Sequence, residues 1–491
     1  MKRFALLTIF AVLGLPANCP AQTGTVAHAS ALELKGQFEE AAHWLSKSLM
    51  ADDSLSSAQR KQIEFELDRL DRIKKDFPFT KDSLFGELKK SVKNLTAEEY
   101  NQWIEEGRFD SREIDGKQFF MVSSVSNLYF RYPELDARRI KPKNRLALDK
   151  ARWESCLAIK KAAKLAGRPY VLPKRFQVTM TVTAEAGAAP AGETIRAWVP
   201  IPRRYPFQDG FAVTSSSPPV KQIDDEQSPI RSAYFEQIAQ KDKATQFKVE
   251  YAYTAHAVWF DIKPGAVRPC NAGDPSLKPY LQEGPHVEFS PEIRALSKKI
   301  VGDETNPYVR AKKCYDWIAE NIKYSYAIEY STIRNISEYC RSRCYGDCGQ
   351  EALLFITLCR LNGVPARWQT GWNTFLGDKS NHDWSEIYLE PYGWMPVDPY
   401  MGIFAMRYAT TLKPEQRQEI RDFYFGGLDQ YRMIANSDHS QALRPPKNTM
   451  RSDDVDFQRG ELEYGNHNIY LDKFSYALNL KEVKLPSGKL E

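Results

Sequence analysis

The sequence has no long hydrophobic run after its first residues and little excess charge of either sign. No segment after residue 15 offers the roughly 18 uninterrupted apolar residues that a membrane-spanning helix needs. The formal net charge of +5 over 491 residues is too balanced to indicate nucleic-acid binding. Helical segments do not recur at a fixed period, which argues against a repeat protein. With 42% hydrophobic residues, the chain has material for about two to four folded domains.

The sequence also lacks the patterns that predict a metal site. No loop of alternating acidic residues of the kind that binds Ca²⁺ occurs. Cys340, Cys344 and Cys348 share a four-residue spacing that could present one helical face to a metal ion. Gly346 interrupts a helix there, however, and no histidine lies nearby. We therefore expect neither a metal ion nor another cofactor.

Residues 1–21 are typical of a bacterial secretory signal peptide. They combine a basic start, a short apolar stretch and the small residue Ala21 at the expected cleavage point. We therefore expect an exported protein, periplasmic or extracellular. Cys19 raises the alternative of a lipid anchor, although the residues before it fit a lipidation signal poorly.

Seven cysteines follow residue 21, and an odd number in an oxidising compartment leaves at least one without a partner in the same chain. Cys314 lies beside the apolar stripe of a predicted helix and is most simply a buried core residue. For Cys340 and Cys344, a disulfide with Cys270 or another loop cysteine and two free thiols both stay open, because pairing cannot be deduced from sequence.

Hydrophobic periodicity predicts a multidomain α+β protein. Residues 22–172 repeat apolar positions at spacings of three and four, which predicts a mainly helical domain. Residues 173–268 alternate apolar and polar side chains and predict an antiparallel β-sandwich. Helices and then strands follow in residues 285–405. Residues 406–491 predict a helix and closing strands that pack on this core or on the sandwich.

The stretch "GDCGQEALLF" places Cys348 on the first turn of a predicted helix. Asp347 is a favourable N-cap, and Gln350 stands where a capping-box partner belongs. Unpaired backbone N–H groups and the positive end of the helix dipole face this turn. We therefore expect a lowered pKa for the Cys348 thiol and hydrogen-bond donors for an oxyanion on a substrate carbonyl.

Three strands are predicted after this helix, the last two joined by a short turn at residues 391–393. They place His382 at the start of one strand and Asp398 near the end of the next. Antiparallel pairing brings both to one edge of a sheet, where Asp398 can orient the imidazole. We infer that the helix start with Cys348 meets this edge and completes a triad.

The segments "GDCGQEALLFITLCRLNGVPARWQTGW" and "HDWSEIYLEPYGWMPVDPY" resemble the transglutaminase-like superfamily, over residues 285–405. The resemblance implies a papain- and transglutaminase-like core in which Cys348 is the nucleophile, His382 the base and acid, and Asp398 the orienting carboxylate. Two departures are visible, and neither is a triad position. Asp383 stands where the family often has alanine, and Tyr400 where it often has threonine.

By this resemblance the chain is a cysteine hydrolase or acyltransferase that acts on amide bonds of protein or peptide substrates through a thioester on Cys348. Hydrolysis is favoured, because bacterial relatives with this architecture look more like proteases than cross-linkers. Acyl transfer from protein glutamine is the alternative. A binding scaffold without catalysis is the rival from another class, and the complete Cys-His-Asp set argues against it.

Overall fold

The computed structural model describes residues 24–142 and 144–485, so the predicted signal peptide and Cys19 lie outside the described residues. The chain divides into two compact units. The first comprises the residues up to Asp71 together with Glu113–Lys117, and the second comprises Arg72–Arg112 and the residues from Gln118 onward. In the part of the chain that is described, no helix is both long enough and apolar enough to cross a bilayer.

Helices and strands make up 38% and 27% of the residues, which confirms the predicted α+β class. The helices are α1 (Gly24–Leu34), α2 (Phe38–Ala51), α3 (Ser57–Asp76), α4 (Lys81–Lys89), α5 (Ala97–Glu105), α6 (Ser124–Arg131), α7 (Leu146–Ala166), α8 (Pro291–Val301), α9 (Pro307–Asn321), α10 (Ile336–Arg343), α11 (Cys348–Leu361), α12 (Pro399–Ile403) and α13 (Pro414–Phe423).

The strands begin with short pairs and continue into three larger sheets. They are β1 (Ser111–Ile114), β2 (Lys117–Phe120), β3 (Tyr170–Ala184), β4 (Thr194–Pro200), β5 (Gln208–Ser217), β6 (Gln222–Ile223), β7 (Ser232–Ile238), β8 (Thr245–Trp259), β9 (Lys323–Tyr324), β10 (Tyr345–Gly346), β11 (Ala366–Asn373), β12 (Ser380–Leu389), β13 (Gly393–Val397), β14 (Gly427–Leu428), β15 (Arg432–Asn436), β16 (Glu461–Tyr464), β17 (His467–Ile469) and β18 (Phe474–Val483).

Local capping explains where the N-terminal helices begin. Thr80 precedes α4, and its hydroxyl accepts a hydrogen bond from the backbone N–H of Ser83. Thr96 does the same for α5 with the N–H of Glu99. Each cap satisfies one of the backbone donors that a helix start leaves unpaired. The predicted helical character of this region is confirmed.

Two five-stranded sheets form the predicted antiparallel β-sandwich. One has the order β14-β8-β3-β18 with β5 also on β8, and the other has the order β17-β16-β4-β7-β6. Their inner faces share one core that includes Met180, Val182, Ala197, Phe235 and Phe247. Burial alternates along β3 as it must when one face of a strand meets the core and the other meets solvent. Strands from the last part of the chain thus lie in both sheets.

A separate four-stranded antiparallel sheet, in the order β13-β12-β11-β15, supports the helix that starts at Cys348. Helix α11 packs on β11 and β12 and is buried along its whole length from Gly349 to Arg360. In the register of β11 and β12, Gly371 pairs with His382. The depth of α11 in this core fixes the position of its first turn relative to the sheet.

Gly371 gives the first test of this arrangement. A Cβ atom at Gly371 would overlap the carbonyl oxygen of Met433 on the neighbouring strand β15. We expect Gly371→Ala to lower the free energy of unfolding by about 1–3 kcal/mol, the usual cost of overpacking, measured by urea denaturation. Gly86→Ala is the matched control, because nothing lies within 4 Å of a Cβ there and its place in α4 favours alanine. Equal stability of wild type and Gly371→Ala would contradict the strand register.

Candidate active site

Cys348 is the first residue of α11, and the predicted N-cap is confirmed. The Asp347 carboxylate accepts hydrogen bonds from the backbone N–H of Gln350 at 3.1 Å and from the hydroxyl of Tyr330 at 2.5 Å. A Cβ at Gly349 would overlap the Tyr330 hydroxyl and come within 2.8 Å of Asp383 Oδ2. Glycine after the cysteine therefore lets other side chains approach the first turn closely.

The structure brings His382 and Asp398 together. His382 Nε2 lies 2.8 Å from Asp398 Oδ2, across the pair of strands β12 and β13. Asp398 is fully buried and also caps α12, where it accepts from the N–H of Met401 at 3.1 Å. Arg432 of β15 contacts the same Oδ2 at 3.1 Å and Asp429 at 3.3 Å. The carboxylate is thus held by groups from three different segments.

Burial favours the neutral form of the His382 imidazole. Burial lowers the pKa of His382 below its ordinary value, against the opposing effect of Asp398. For Asp398, burial alone would raise the pKa, but His382 and Arg432 outweigh it and the pKa of this carboxyl is lowered. A charged carboxylate therefore holds an uncharged imidazole, which is the arrangement that orients a general base.

The Cys348 thiol contacts a carboxyl group. Its Sγ lies 3.6 Å from Asp383 Oδ2. Among the residues that the structure describes, Cys348 Sγ makes no hydrogen bond with the His382 ring. Burial first, and then the carboxylates of Asp383 and Asp347, raise the pKa of the Cys348 thiol well above its ordinary value. The predicted lowering of this pKa is therefore wrong for this structure, because burial disfavours the thiolate and the carboxylates of Asp383 and Asp347 add negative charge beside the sulfur.

Asp383 itself is almost fully buried, with 3% of its surface exposed. Its Oδ1 accepts hydrogen bonds from Gln458 Nε2 at 2.6 Å and from the hydroxyl of Thr370. Burial is the main reason that the pKa of Asp383 rises to about 8, with a further contribution from Asp347. The sequence marked Asp383 as a departure from the family pattern but gave it no role.

The thiol faces a cleft of about 230 Å³. Besides Cys348, its walls carry several tyrosines and acidic residues together with one arginine: Tyr324, Tyr326, Tyr330, Tyr476, Glu329, Asp347, Asp383, Asp456 and Arg459. Sequence reasoning missed this lining. The three tyrosines between α9 and α10 were the visible signal, since a cluster of large amphipathic rings in a loop is typical of a binding surface.

The cysteines other than Cys348 take no part in this site. All seven cysteines among the described residues are free thiols, so the structure pairs neither Cys340 nor Cys344 with Cys270. Cys314 is fully buried, as predicted. Within the described ranges, no group of three or more His, Cys, Asp or Glu side chains is placed to hold a metal ion.

Comparison with known proteins bears directly on this core. Residues 294–399 match the family model of the transglutaminase-like superfamily, which confirms the resemblance that the cysteine, histidine and aspartate motifs predicted. The match begins within α8 and includes Cys348, His382 and Asp398.

Two curated bacterial proteins are similar to part of the chain. An uncharacterised protein of Haemophilus influenzae is 23% identical over an alignment of 178 residues that covers 31% of this chain and 48% of that protein. The uncharacterised protein YebA of Bacillus subtilis is 26% identical over an alignment of 129 residues that covers 22% of this chain and 17% of that protein. The chain spans about half the length of the first relative and about a sixth of the second.

Two solved structures also align with the chain. A protein of Cytophaga hutchinsonii, provisionally named a cysteine protease, has a TM-score of 0.43 at 15% identity and covers 65% of this chain and 94% of that one. The periplasmic domain of TgpA from Pseudomonas aeruginosa has a TM-score of 0.26 at 16% identity and covers 51% of this chain and 92% of that one.

The raised carboxyl pKa values predict a pH dependence of stability. Burial raises the pKa of Asp347 to about 6 and that of Asp383 to about 8, against about 3.9 for an aspartate in the unfolded chain. Between these values the folded protein holds protons that the unfolded chain has lost. The contribution of these groups to stability is therefore complete below about pH 4 and is lost progressively as the pH rises, up to about pH 6 for Asp347 and about pH 8 for Asp383.

Asp383→Asn removes the carboxyl group with the larger of these two pKa shifts. We expect the variant to gain stability relative to wild type as the pH rises from 5 to 9, by at most about 1.4 kcal/mol per pH unit for one group. Urea denaturation of both proteins at several pH values measures this difference. A constant difference across the range would show that Asp383 titrates normally.

Proposed function

We propose that the chain is an exported cysteine enzyme that cleaves amide bonds of protein or peptide substrates through a thioester on Cys348. The observation that carries the proposal is the position of Cys348. It starts a buried helix at the wall of a cleft, and the adjacent sheet holds the buried His382–Asp398 pair. The match of residues 294–399 to the transglutaminase-like superfamily supports the same assignment.

The first turn of α11 supplies the electrostatics for attack on a carbonyl. A thiolate at Cys348 attacks the carbonyl carbon, and the oxygen that becomes negative meets backbone N–H groups and the positive end of the helix dipole. The covalent thioester divides the reaction into two steps, release of the amine and resolution of the thioester. A nucleophile with a raised pKa must lose its proton at the moment of reaction, so a base has to act on it.

His382 is suited to the second step, the resolution of the thioester. Its neutral imidazole can accept a proton from an incoming water, and Asp398 then stabilises the imidazolium that forms. With water as the acceptor, the reaction is hydrolysis. We favour water over an amine because the bacterial proteins that the motifs resemble look more like proteases than cross-linkers. Export rests on the signal peptide predicted at residues 1–21.

Variants of two cysteines test the nucleophile. We expect Cys348→Ser to abolish cleavage of a peptide library in H₂¹⁸O, whereas the wild type releases fragments that carry one ¹⁸O at each new carboxyl group. Cys344→Ser is the matched control, because this thiol is exposed and lies only four residues away. His382→Ala should lower the rate by about 10²–10⁴-fold, the range for loss of a general acid–base group.

A fluorescent primary amine in the same reaction separates the two acceptors. Amine adducts on glutamine side chains without ¹⁸O incorporation would replace hydrolysis by acyl transfer. Equal activity of wild type and Cys348→Ser would contradict the enzyme assignment.

A further inference from the structure

One side chain beside the nucleophile has no part in the predicted triad. Asp383 Oδ2 lies 3.6 Å from Cys348 Sγ, with the thiol as donor and the carboxyl oxygen as acceptor. Asp383 follows His382 directly in β12, so the two side chains leave the strand in opposite directions. The thiol therefore contacts Asp383, which follows the predicted base His382 in the sequence.

The hydrogen bonds of Asp383 give its two oxygens different roles. Oδ1 accepts from Gln458 Nε2 at 2.6 Å and from the Thr370 hydroxyl, so both of its neighbours are donors. Oδ2 faces the thiol. A proton on this carboxyl group therefore belongs on Oδ2, at the wall of the cleft, since a proton on Oδ1 would oppose two donors.

A buried network fixes this orientation. The Gln458 side chain also donates to the His382 carbonyl at 3.1 Å, and the Gln458 backbone carbonyl accepts from Trp372 Nε1 at 3.0 Å. Gly349 provides the space, because a Cβ there would come within 2.8 Å of Asp383 Oδ2. Two donors hold one oxygen of this carboxyl group, and the other oxygen faces the thiol. The carboxyl group is therefore arranged to exchange a proton with that thiol.

We propose that Asp383 is a further catalytic residue, whose Oδ2 accepts the proton of the Cys348 thiol. The inference rests on the proposed function. The S–H bond breaks, an O–H bond forms on Oδ2, and the electron pair left on sulfur attacks the substrate carbonyl carbon. When the C–N bond of the tetrahedral intermediate breaks, the leaving nitrogen takes this proton from Asp383.

The surroundings of Asp383 suit this role. Titratable groups approach it from α11, from the loop before α10 and from the segment before β16: Cys348, Asp347, Tyr330, Asp453 and Asp456. The nearby Arg459 pairs with Glu329 and Asp453. Burial with acidic neighbours makes the carboxylate a stronger base than an exposed aspartate, and its pKa lies near neutral pH, where proton exchange is most effective.

A merely structural Asp383 makes the opposite prediction. If the carboxylate only places negative charge beside the sulfur, its removal lowers the thiol pKa and speeds the reaction of Cys348. If it accepts the thiol proton, its removal slows that reaction. The sign of the effect of Asp383→Asn therefore distinguishes the two roles.

The test follows acylation of Cys348 by p-nitrophenyl acetate in the full-length mature protein, quantified by peptide mass spectrometry between pH 5 and 10. We expect wild-type acylation to rise with an inflection near pH 8 and to be slower in D₂O. Asp383→Asn should react at least tenfold more slowly at pH 8 and lose both the inflection and the isotope effect. Asp224→Asn, at a buried carboxyl with a raised pKa in the sandwich, should match wild type.

A second variant covers the case in which Asp383→Asn does not fold. Thr370→Val removes a hydrogen bond that lowers the pKa of Asp383, so the inflection should move to higher pH. Acylation of Asp383→Asn at the wild-type rate or faster, or an unmoved inflection in Thr370→Val, would overturn the role of Asp383. Failure of wild-type Cys348 to react while exposed Cys344 is acylated would instead reject the proposed nucleophile.

Discussion

The carboxylate of Asp398 is the constraint around which the site is built. A charge with no exposed surface is tolerated in a protein interior only when donors and counter-charges surround it. Here the imidazole of His382, the guanidinium of Arg432 and the start of α12 supply them. Removing any one of these groups would leave the carboxylate with an unmet charge. Asp398 Oδ2, at the end of β13, therefore links this strand to His382 of β12 and to Arg432 of β15.

In the cleft, by contrast, negative groups are not matched by an equal number of positive ones. Its acidic side chains outnumber its one arginine, and burial raises the pKa values of Asp347, Asp383 and Asp456. For Glu329, Arg459 outweighs the effect of burial, and the pKa is lowered. Burial thus favours the neutral forms of the Cys348 thiol, the Asp383 carboxyl and the His382 imidazole, in contrast to the charged carboxylate of Asp398. This differs from sites in which a thiolate and an imidazolium exist before substrate arrives.

Local rules predicted much of this arrangement. Asp347 caps its helix because a cap needs only its neighbours, and the short turn at residues 391–393 was enough to pair the strands of His382 and Asp398. The contact between Cys348 and Asp383 depends on how a helix seats against a sheet, which local patterns do not contain. The same holds for Arg432 and Gln458, which arrive from distant segments, and the assignment of the triad as catalytic stays a prediction.

The pairing of β18 with β3 joins two parts of the sandwich that lie far apart in the sequence, which affects how the chain folds. Phe474 lies opposite Ala184, about 290 positions earlier, and the two strands stay in register over ten residue pairs. Closing so long a loop costs entropy before any contact repays it, and folds rich in such distant pairs form slowly. Until β18 arrives, β3 presents an unpaired edge to other chains. Before that closure, the open edge of β3 favours aggregation of the folding chain and binding of partners that add a strand.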